Sequence, residues 1–226
     1  MLRTPLRTPL LTTLVAALTV AAASSARAQT TVNFDSFTGM PNSPGSTVPI
    51  AARLGTQLLG LGVKFGSFSD YVAVVTLGVG HATSGALGIG GTTSAGALSY
   101  SAPIRISFWD PANAATMGVT TFVQIRGDLI PVGGNITMRV FDTLGMLLST
   151  VTVPDASGAT LTYTGANVHL VELSSASGTV AFDDLRFADV TAGPNASVVP
   201  EPSAVALFGG GVLMLGAAAR SRRRRV

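Results

Sequence analysis

Two adjacent carboxylates, Asp183 and Asp184, are the side chains of this 226-residue sequence best suited to binding a metal ion. With Asp35 on a neighbouring strand they would supply oxygen ligands for Ca²⁺, which takes roughly six to eight oxygens including backbone carbonyls. A structural Ca²⁺ would also tie down a chain that has no cysteine and hence no disulfide. The alternative is that one aspartate binds the backbone and the other is solvated.

The same carboxylate pair is a poor candidate for a glycosidase acid and base. That chemistry needs two carboxyl groups about 5 to 9 Å apart across one cleft, and adjacent strand residues point to opposite faces unless a bulge intervenes. The sequence has no Gly-x-Ser-x-Gly elbow, and His81 and His169 do not have the spacing of a metal site. We therefore expect a protein that is not an enzyme, with no cofactor beyond the Ca²⁺ option.

Trp109 is the single tryptophan of the chain and the candidate for a sugar contact. It ends an alternating segment, so it would face away from Ile106 and Phe108 and lie near a loop. The sequence leaves two roles open for this ring. It either stacks on a bound sugar or packs against the loop as a rim residue.

Seven glycines between residues 78 and 96 give the chain one glycine-rich stretch. The stretch has no Gly-Lys-Ser/Thr ending and no strand-to-helix transition, so a phosphate-binding loop is not supported. We expect a mobile loop or a hairpin of small residues packed over a sheet.

The middle of the chain contains short runs of alternating or β-branched residues separated by glycine, proline, serine and asparagine, which is typical of all-β folds. We predict an antiparallel two-sheet β-sandwich, jelly-roll-like, flanked by an N-terminal signal helix and a short C-terminal transmembrane helix. The sequence Asp-Thr-Leu-Gly at 142–145 predicts a hairpin turn. Predicted strands cover residues 31–37, 61–68, 71–77, 97–100, 104–109, 119–126, 135–141, 147–153, 160–163, 167–173 and 179–187.

The last predicted strand contains a shift in its alternation. Val180 and Phe182 point to one face under a period of two, whereas Leu185 and Phe187 would point to the other. One extra residue at the two intervening aspartates would bring all four apolar side chains inside. We therefore predict a β-bulge there.

Two short segments are similar to those of a known sandwich architecture. Residues 180–187, Val-Ala-Phe-Asp-Asp-Leu-Arg-Phe, resemble the closing strand of many jelly-roll sandwiches, including carbohydrate-binding modules. Residues 32–35, Val-Asn-Phe-Asp, resemble their first strand. The resemblance implies a jelly-roll fold and makes a carbohydrate-binding module for exopolysaccharide the alternative function, ahead of a polysaccharide-acting enzyme.

The first 28 residues have the pattern of a secretory signal peptide. Arg3 and Arg7 precede an apolar run over residues 10–23, and Ala26 and Ala28 form a small-x-small cleavage site. We expect cleavage after Ala28, in a chain that is exported.

The C-terminal segment combines three features in a fixed order. Pro200, Glu201 and Pro202 form an extended motif, because proline on both sides of the glutamate disfavours helix. An apolar stretch over residues 204–219 would make a helix of about 24 Å, which barely crosses a bilayer. A basic cluster follows as a membrane stop that stays cytoplasmic. It consists of Arg220, Arg222, Arg223, Arg224 and Arg225.

This arrangement resembles the PEP-CTERM sorting signal of Gram-negative bacteria. The resemblance implies recognition by an exosortase, a membrane-embedded cysteine protease or transpeptidase that is thought to cut near the Pro-Glu-Pro motif. It also implies an association with exopolysaccharide and biofilm matrix. The partners expected on this basis are exosortase, the inner membrane during sorting, and exopolysaccharide.

The charge distribution excludes nucleic acid as a partner. The whole chain carries a formal charge of +3, but eight of its 14 basic residues lie in the two terminal segments. Residues 29–199 hold six basic and ten acidic side chains, a balance of −4. A nucleic-acid-binding domain would show the opposite sign.

These features divide the chain into a signal peptide at 1–28, a β-sandwich domain at 29–189, a linker at 190–199 and a sorting signal at 200–226. We expect a non-enzymatic surface or extracellular-matrix protein that exosortase sorts and processes. It would be anchored in the inner membrane with its domain in the periplasm, and would then reach the outer surface or the medium.

Overall fold

The computed structural model describes residues 28–78, 82–128, 134–154, 158–176, 178 and 180–194. Over these ranges the predicted all-β class is confirmed, since fourteen strands join in one sheet and the helical content is limited to 3-10 helices at Ile50–Ala52 and Leu59–Leu61. Within the same ranges no helix has the length and apolar character needed to cross a membrane. The signal helix and the C-terminal helix predicted from the sequence lie outside them.

Buried and more exposed side chains alternate in strands such as Ile104–Asp110 and Asn135–Phe141, as in half-buried sheets, whereas Val72–Thr76 and Ala181–Ala188 are buried along most of their length. In chain order the strands are β1 Gln29–Val32, β2 Met40–Pro41, β3 Arg53–Leu54, β4 Val63–Gly66, β5 Val72–Thr76, β6 Leu87–Gly90, β7 Ile104–Asp110, β8 Asn113–Asp128, β9 Asn135–Phe141, β10 Leu147–Pro154, β11 Ala159–Val168, β12 Leu170–Ser175, β13 Ala181–Ala188 and β14 Thr191–Ala192.

The main path through the sheet runs β10-β9-β12-β7-β8-β13-β6-β5-β2. Side pairings attach β1 to β13, β11 and β14 to β8, β3 to β5, and β4 to β7. The sheet is mixed and not wholly antiparallel as predicted, because β2 pairs with β5 in parallel. Such a pairing between short segments far apart in sequence leaves no local signal.

The main apolar core collects side chains from both halves of this path. Ile106 and Phe108 of β7 are buried, as are Ile125 of β8 and Phe187 of β13. The rings of Phe108 and Phe187 lie 5.7 Å apart between centroids. Strands on both sides of the β7–β8 pair in the sheet order therefore contribute side chains to one core.

The β-bulge predicted in the last strand is confirmed. Between Asp183 and Arg186 strand β13 advances three residues while its partner β8 advances two, from Arg126 to Gln124. Asp184 takes up the irregularity with a left-handed φ of 48°. All four apolar side chains that motivated the prediction are buried: Val180, Phe182, Leu185 and Phe187.

The described part of the glycine-rich stretch contributes strand β6, which is built into the sheet between β5 and β13 and does not pack over the sheet as one of the two predicted forms required. Strand β6 pairs with β5 and touches β13 through Ile89 and Phe182. The predicted strand at 97–100 is wrong: this segment makes two isolated bridges, Thr47 to Ala97 and Thr92 to Leu98. It folds over the β5–β6 hairpin because Gly90 leaves room for the Leu98 and Tyr100 side chains and Gly91 lets the backbone of Ser99 come close.

Candidate functional site

Asp183 is a fully buried carboxylate whose oxygens are all engaged. Its exposed fraction is 0%. One oxygen accepts the backbone N–H of Thr83 at 2.9 Å and of Ser84 at 3.0 Å, together with the Ser84 hydroxyl at 3.4 Å. The other oxygen accepts the backbone N–H of Asp184 at 2.7 Å. The bulge thus aims this carboxylate into the loop that precedes β6.

Asp184 and Asp35 bind the same loop. The Ser84 hydroxyl donates to a carboxylate oxygen of Asp184 at 2.8 Å, and Asp184 is only 7% exposed. Exposed Asp35, which follows β1, accepts the N–H groups of Ala86 at 3.0 Å and Leu87 at 3.3 Å. We call Asp35, Asp183 and Asp184 with loop residues 83–87 the aspartate cluster.

Gly85 is required at the centre of the aspartate cluster. Its φ is 55°, and a side chain there would collide with the Asp35 carboxylate. The left-handed backbone at this position favours glycine, and it lets the loop direct its amides to Asp183 and Asp35 and a hydroxyl to Asp184. The residue types indicated the aspartates but not Thr83, Ser84 and Gly85, for which the only signal in the sequence is one glycine among seven.

Burial raises the pKa of Asp183 above its ordinary value of 3.8, and the nearby Asp184 carboxylate acts in the same direction. Hydrogen bonds from the backbone of Ser84, Asp184 and Thr83 lower the pKa and offset part of this rise. Loss of hydration is the larger effect, because no basic side chain is among the groups that act on this carboxylate.

The structure brings the three predicted calcium ligands to one loop but gives their oxygens N–H and O–H donors. Within the described ranges, no three His, Cys, Asp or Glu side chains are grouped so that they could hold a metal ion. The alternative to a calcium site was that one aspartate binds the backbone and the other is solvated. Asp183 is the backbone-binding aspartate, whereas Asp184 is buried and not solvated. The structural Ca²⁺ stays a prediction.

A second group of functional candidates lies on the outer face, which we define as the surface of β4, β7, β12, β9 and β10 that points away from the core. Registers place Gly66, Arg105, Glu172, Arg139 and Thr150 in one row across these strands. Glu172 pairs with Arg105 at 3.1 Å and with Arg139 at 3.3 Å. The row is a charge ladder with one more positive than negative side chain.

Trp109 lies on the outer face, as alternation predicted, and is half-buried. Its indole N–H donates to the Ser107 hydroxyl at 2.9 Å, and its ring meets His169 edge-on at 6.0 Å between centroids. The Lys64 amine lies 6.0 Å from the ring centroid. The ring is therefore held in place beside a cation, with part of it open to solvent.

His169 is half-buried and hydrogen-bonded. Its Nδ1 lies 3.0 Å from the carbonyl oxygen of Gly118, and its ring supports Trp109. His169 is thus a positioning residue for the tryptophan. His81 lies outside the described ranges.

The remaining sequence-predicted sites fall mostly on residues that the structure does not describe. Ala28 is described and is exposed. The others are Ala26, the motif Pro200, Glu201 and Pro202, and the basic cluster Arg220, Arg222, Arg223, Arg224 and Arg225.

Residues 198–225 match the PEP-CTERM protein-sorting motif. The predicted recognition of this segment is confirmed. The motif implies export, a membrane-anchored sorting signal and processing by exosortase. No curated protein sequence matches the chain.

The described domain has distant likenesses among solved structures. They include the enzymatically active domain of bacteriophage CBA120 tailspike protein 4 at 13% identity and a TM-score of 0.28, over 62% of this chain and 20% of that one. An arabinose-bound MgGH51 α-L-arabinofuranosidase has 12% identity and a TM-score of 0.29, over 68% and 31%. A CBM4 structure has 16% identity and a TM-score of 0.26, over 67% and 94%. The chain spans under a third of the first two proteins, and we draw no function from these likenesses.

Proposed function

We propose that this protein is an exported, non-enzymatic surface or matrix protein that exosortase sorts and processes through its C-terminal segment. The observation that carries the proposal is the sorting motif over residues 198–225. The N-terminal signal pattern, cleaved after Ala28, supports it, because a sorting signal of this kind acts only on a chain that leaves the cytoplasm.

Each part of the tail has a physical role in this proposal. The motif Pro-Glu-Pro at 200–202 presents an extended, solvated backbone to the processing enzyme. The apolar residues 204–219 hold the chain in the inner membrane, weakly because they are short for a bilayer of about 30 Å. The arginines that follow keep the C-terminus cytoplasmic and the folded domain in the periplasm. Processing then releases or attaches the domain at the outer surface.

Replacing Pro200, Glu201 and Pro202 together with alanine tests this proposal. We expect the variant to stay in the inner membrane with its tail uncleaved, because an alanine tripeptide continues the helix and removes the charged recognition group. The measurement is the mass and location of the protein in a host that contains exosortase.

The matched control replaces Asn195 and Ser197 with alanine, just before the sorting motif, and should be processed normally. If the triple variant yields the same mature mass in the same compartment as the wild type, the Pro-Glu-Pro motif is not what directs sorting.

The proposal includes a domain that is a jelly-roll-like two-sheet sandwich. Support comes from the shared core, in which Phe108 of β7 packs on Phe187 of β13 and Phe34 packs edge-on against Phe65 at 5.9 Å. The run β10-β9-β12-β7-β4 would form one layer and the run β8-β13-β6-β5 the other. A sandwich of this kind leaves the outer face available to a partner in the biofilm.

A second candidate function is binding of exopolysaccharide on the outer face. The observation that favours it is the setting of Trp109, a ring held by Ser107 and His169 beside the Lys64 cation. Arg105 and Arg139 extend the basic character along the charge ladder. An acidic polysaccharide would therefore be favoured over a neutral one.

We expect Trp109→Ala to lower affinity for such a polysaccharide by roughly tenfold or more, because truncating a tryptophan anchor of a binding surface typically costs about 2 kcal/mol or more. Trp109→Phe keeps a ring and should retain part of the binding. The measurement is a glycan array followed by titration calorimetry.

Phe68→Ala removes another exposed aromatic ring outside the outer face and serves as the control. Equal loss of binding in the Phe68 and Trp109 variants, or no loss in either, would place the sugar elsewhere.

A further inference from the structure

The turn between β9 and β10 carries an exposed apolar surface. Leu144 is 74% exposed, Met146 64% and Leu147 50%, and Met117 of β8 is 44% exposed. We call these four residues the apolar tip. Leu148, next to Leu147 in β10, is 37% exposed as well, whereas the other exposed large apolar side chains of the described ranges occur singly, as is usual on protein surfaces.

The apolar tip is rigid. One carboxylate oxygen of Asp142 accepts the N–H groups of Leu144 at 2.8 Å and Met146 at 2.9 Å. The Asp142 N–H donates to the carbonyl of Met146 at 3.1 Å, and the Gly145 N–H donates to that of Asp142 at the same distance. The turn is therefore locked with its large apolar side chains turned outward, so that little ordering is needed when it meets a partner.

The apolar tip lies where the chain leaves the domain. Strand β14 pairs with β8 at Val119 and Gly118, and the Gly193 N–H donates to the Met117 carbonyl at 2.8 Å. A Cβ on Gly193 would lie 3.1 Å from the Thr143 methyl group, so the turn and the exit segment are in contact. Both Met117 and the turn thus flank the start of the C-terminal segment.

The distance from this exit to the apolar segment is short. Nine residues, 195–203, separate Pro194 from the start of residues 204–219. At about 3.3 to 3.6 Å per residue they reach at most roughly 35 Å. A domain of about 160 residues has a radius of gyration near 15 Å and hence a diameter near 40 Å. The tether therefore keeps the exit end of the domain within roughly one domain diameter of the bilayer.

Charge does not direct this end of the domain toward an anionic surface. Asp142 lies within the turn, and Asp110 ends β7, whose Trp109 pairs with Met117. Lys64 is the basic side chain placed near that tryptophan. Attraction to a membrane would have to come from the apolar side chains.

We propose that the apolar tip inserts into the outer surface of the same lipid bilayer that holds the C-terminal segment. The inference rests on the proposed membrane-anchored sorting of the chain. Tethering holds the domain close to the bilayer and so raises the effective concentration of lipid. A few apolar side chains are then sufficient for insertion, although they would be too few to bind a free domain to a membrane. Insertion orients the domain on the membrane and fixes the linker beside the lipid headgroups. Once the tail is cut, the contact becomes too weak to retain the protein.

The absence of native cysteine allows a direct test. Leu144→Cys in the full chain is labelled with an environment-sensitive fluorophore and reconstituted through its C-terminal segment into phosphatidylcholine vesicles. We expect blue-shifted emission and roughly twofold or greater quenching by nitroxide-bearing phospholipid, with little change when a third of the lipid is anionic. Ile50→Cys, at a residue that is 81% exposed on the 3-10 helix Ile50–Ala52, is the matched control and should stay unquenched.

Separate outcomes distinguish the two proposals. A chain that fails to float with the vesicles contradicts the membrane-anchored tail. A chain that floats while the label at position 144 emits as in water overturns the insertion of the apolar tip. A blue shift without lipid quenching, or one that grows with the protein-to-lipid ratio, shows that a protein surface and not lipid covers the tip, and overturns it as well.

Discussion

Asp183→Ala is expected to lower the free energy of unfolding by about 3 kcal/mol or more, the largest effect of any change in the aspartate cluster. The carboxylate is fully buried and accepts four hydrogen bonds from Thr83, Ser84 and Asp184. Alanine removes all four acceptor contacts and leaves space that the loop cannot fill without moving. Urea unfolding of the full chain in mild detergent measures the loss.

Asp35→Ala is the matched control for this prediction. Asp35 binds two N–H groups of the same loop from an exposed position, so we expect a loss of about 1 kcal/mol or less. If both variants lower the free energy of unfolding by the same amount, the burial of Asp183 does not explain the stabilising effect of its contacts.

The pH dependence provides a second readout on Asp183. Because the pKa is raised in the folded protein, the folded state holds this proton more tightly than the unfolded chain does. The stability that this group contributes is therefore fully present below the ordinary pKa of 3.8 and is lost as pH rises through the folded value. Asp183→Asn should remove this decline, and a decline that persists unchanged in Asp183→Asn belongs to other groups.

Gly91→Ala is expected to destabilise the domain by about 3 kcal/mol or more, or to prevent folding. A Cβ at this position would collide with the carbonyl oxygen of Ala102 and lie 2.9 Å from that of Ser99. Both atoms belong to the backbone, so no side-chain rotation relieves the contact. The yield of folded protein and its urea midpoint are the measurements.

Gly60→Ala is the control, because a Cβ at Gly60 has no atom within 4 Å. We expect a change within about 0.5 kcal/mol in either direction. Equal loss in both variants would point to a general intolerance of side chains and not to close packing at Gly91.

Local pattern predicted β9 and β10 closely, whereas it covered only residues 119–126 of the sixteen-residue β8 and residues 160–163 and 167–168 of the ten-residue β11. The prediction for residues 135–141 matches β9 in full, and the turn at 142–145 forms as its Asp and Gly indicated. The bulge in β13 was predictable because four apolar residues had to be buried from two phases of one strand. Signals of this kind depend on residues that are close in sequence, so they are present in any fold in which a strand buries one of its faces.

The parts that escaped prediction depend on contacts between distant segments. Strands β2 and β3 have two residues each and exist because β5 lies beside them. The segment 97–100 has strand-like composition, but it is held over Gly91 by hydrogen bonds such as Ser99 to the Gly91 carbonyl. No pattern within four residues encodes such contacts.

The candidate sites divide in the same way. Asp35, Asp183, Asp184 and Trp109 could be identified as candidates from their residue types, and alternation along the strands predicted part of their grouping and orientation. The partners of these side chains could not be predicted, because Thr83 and Ser84 bind Asp183 through backbone N–H groups that every sequence has. Nor could the support of Trp109 by His169 be foreseen from the chain alone.

The pairing of the first strand with β13, near the end of the domain, has a consequence for the timing of export. Gln29 of β1 lies opposite Ala188 of β13, so the two ends of the domain complete each other. A polypeptide threaded N-terminus first emerges with β1 lacking its partner until nearly the whole domain has crossed. On the proposed export route, β13 would arrive shortly before the apolar residues 204–219. Arrest of the tail would then keep the two edges together while they pair, so that retention at the membrane and completion of folding coincide.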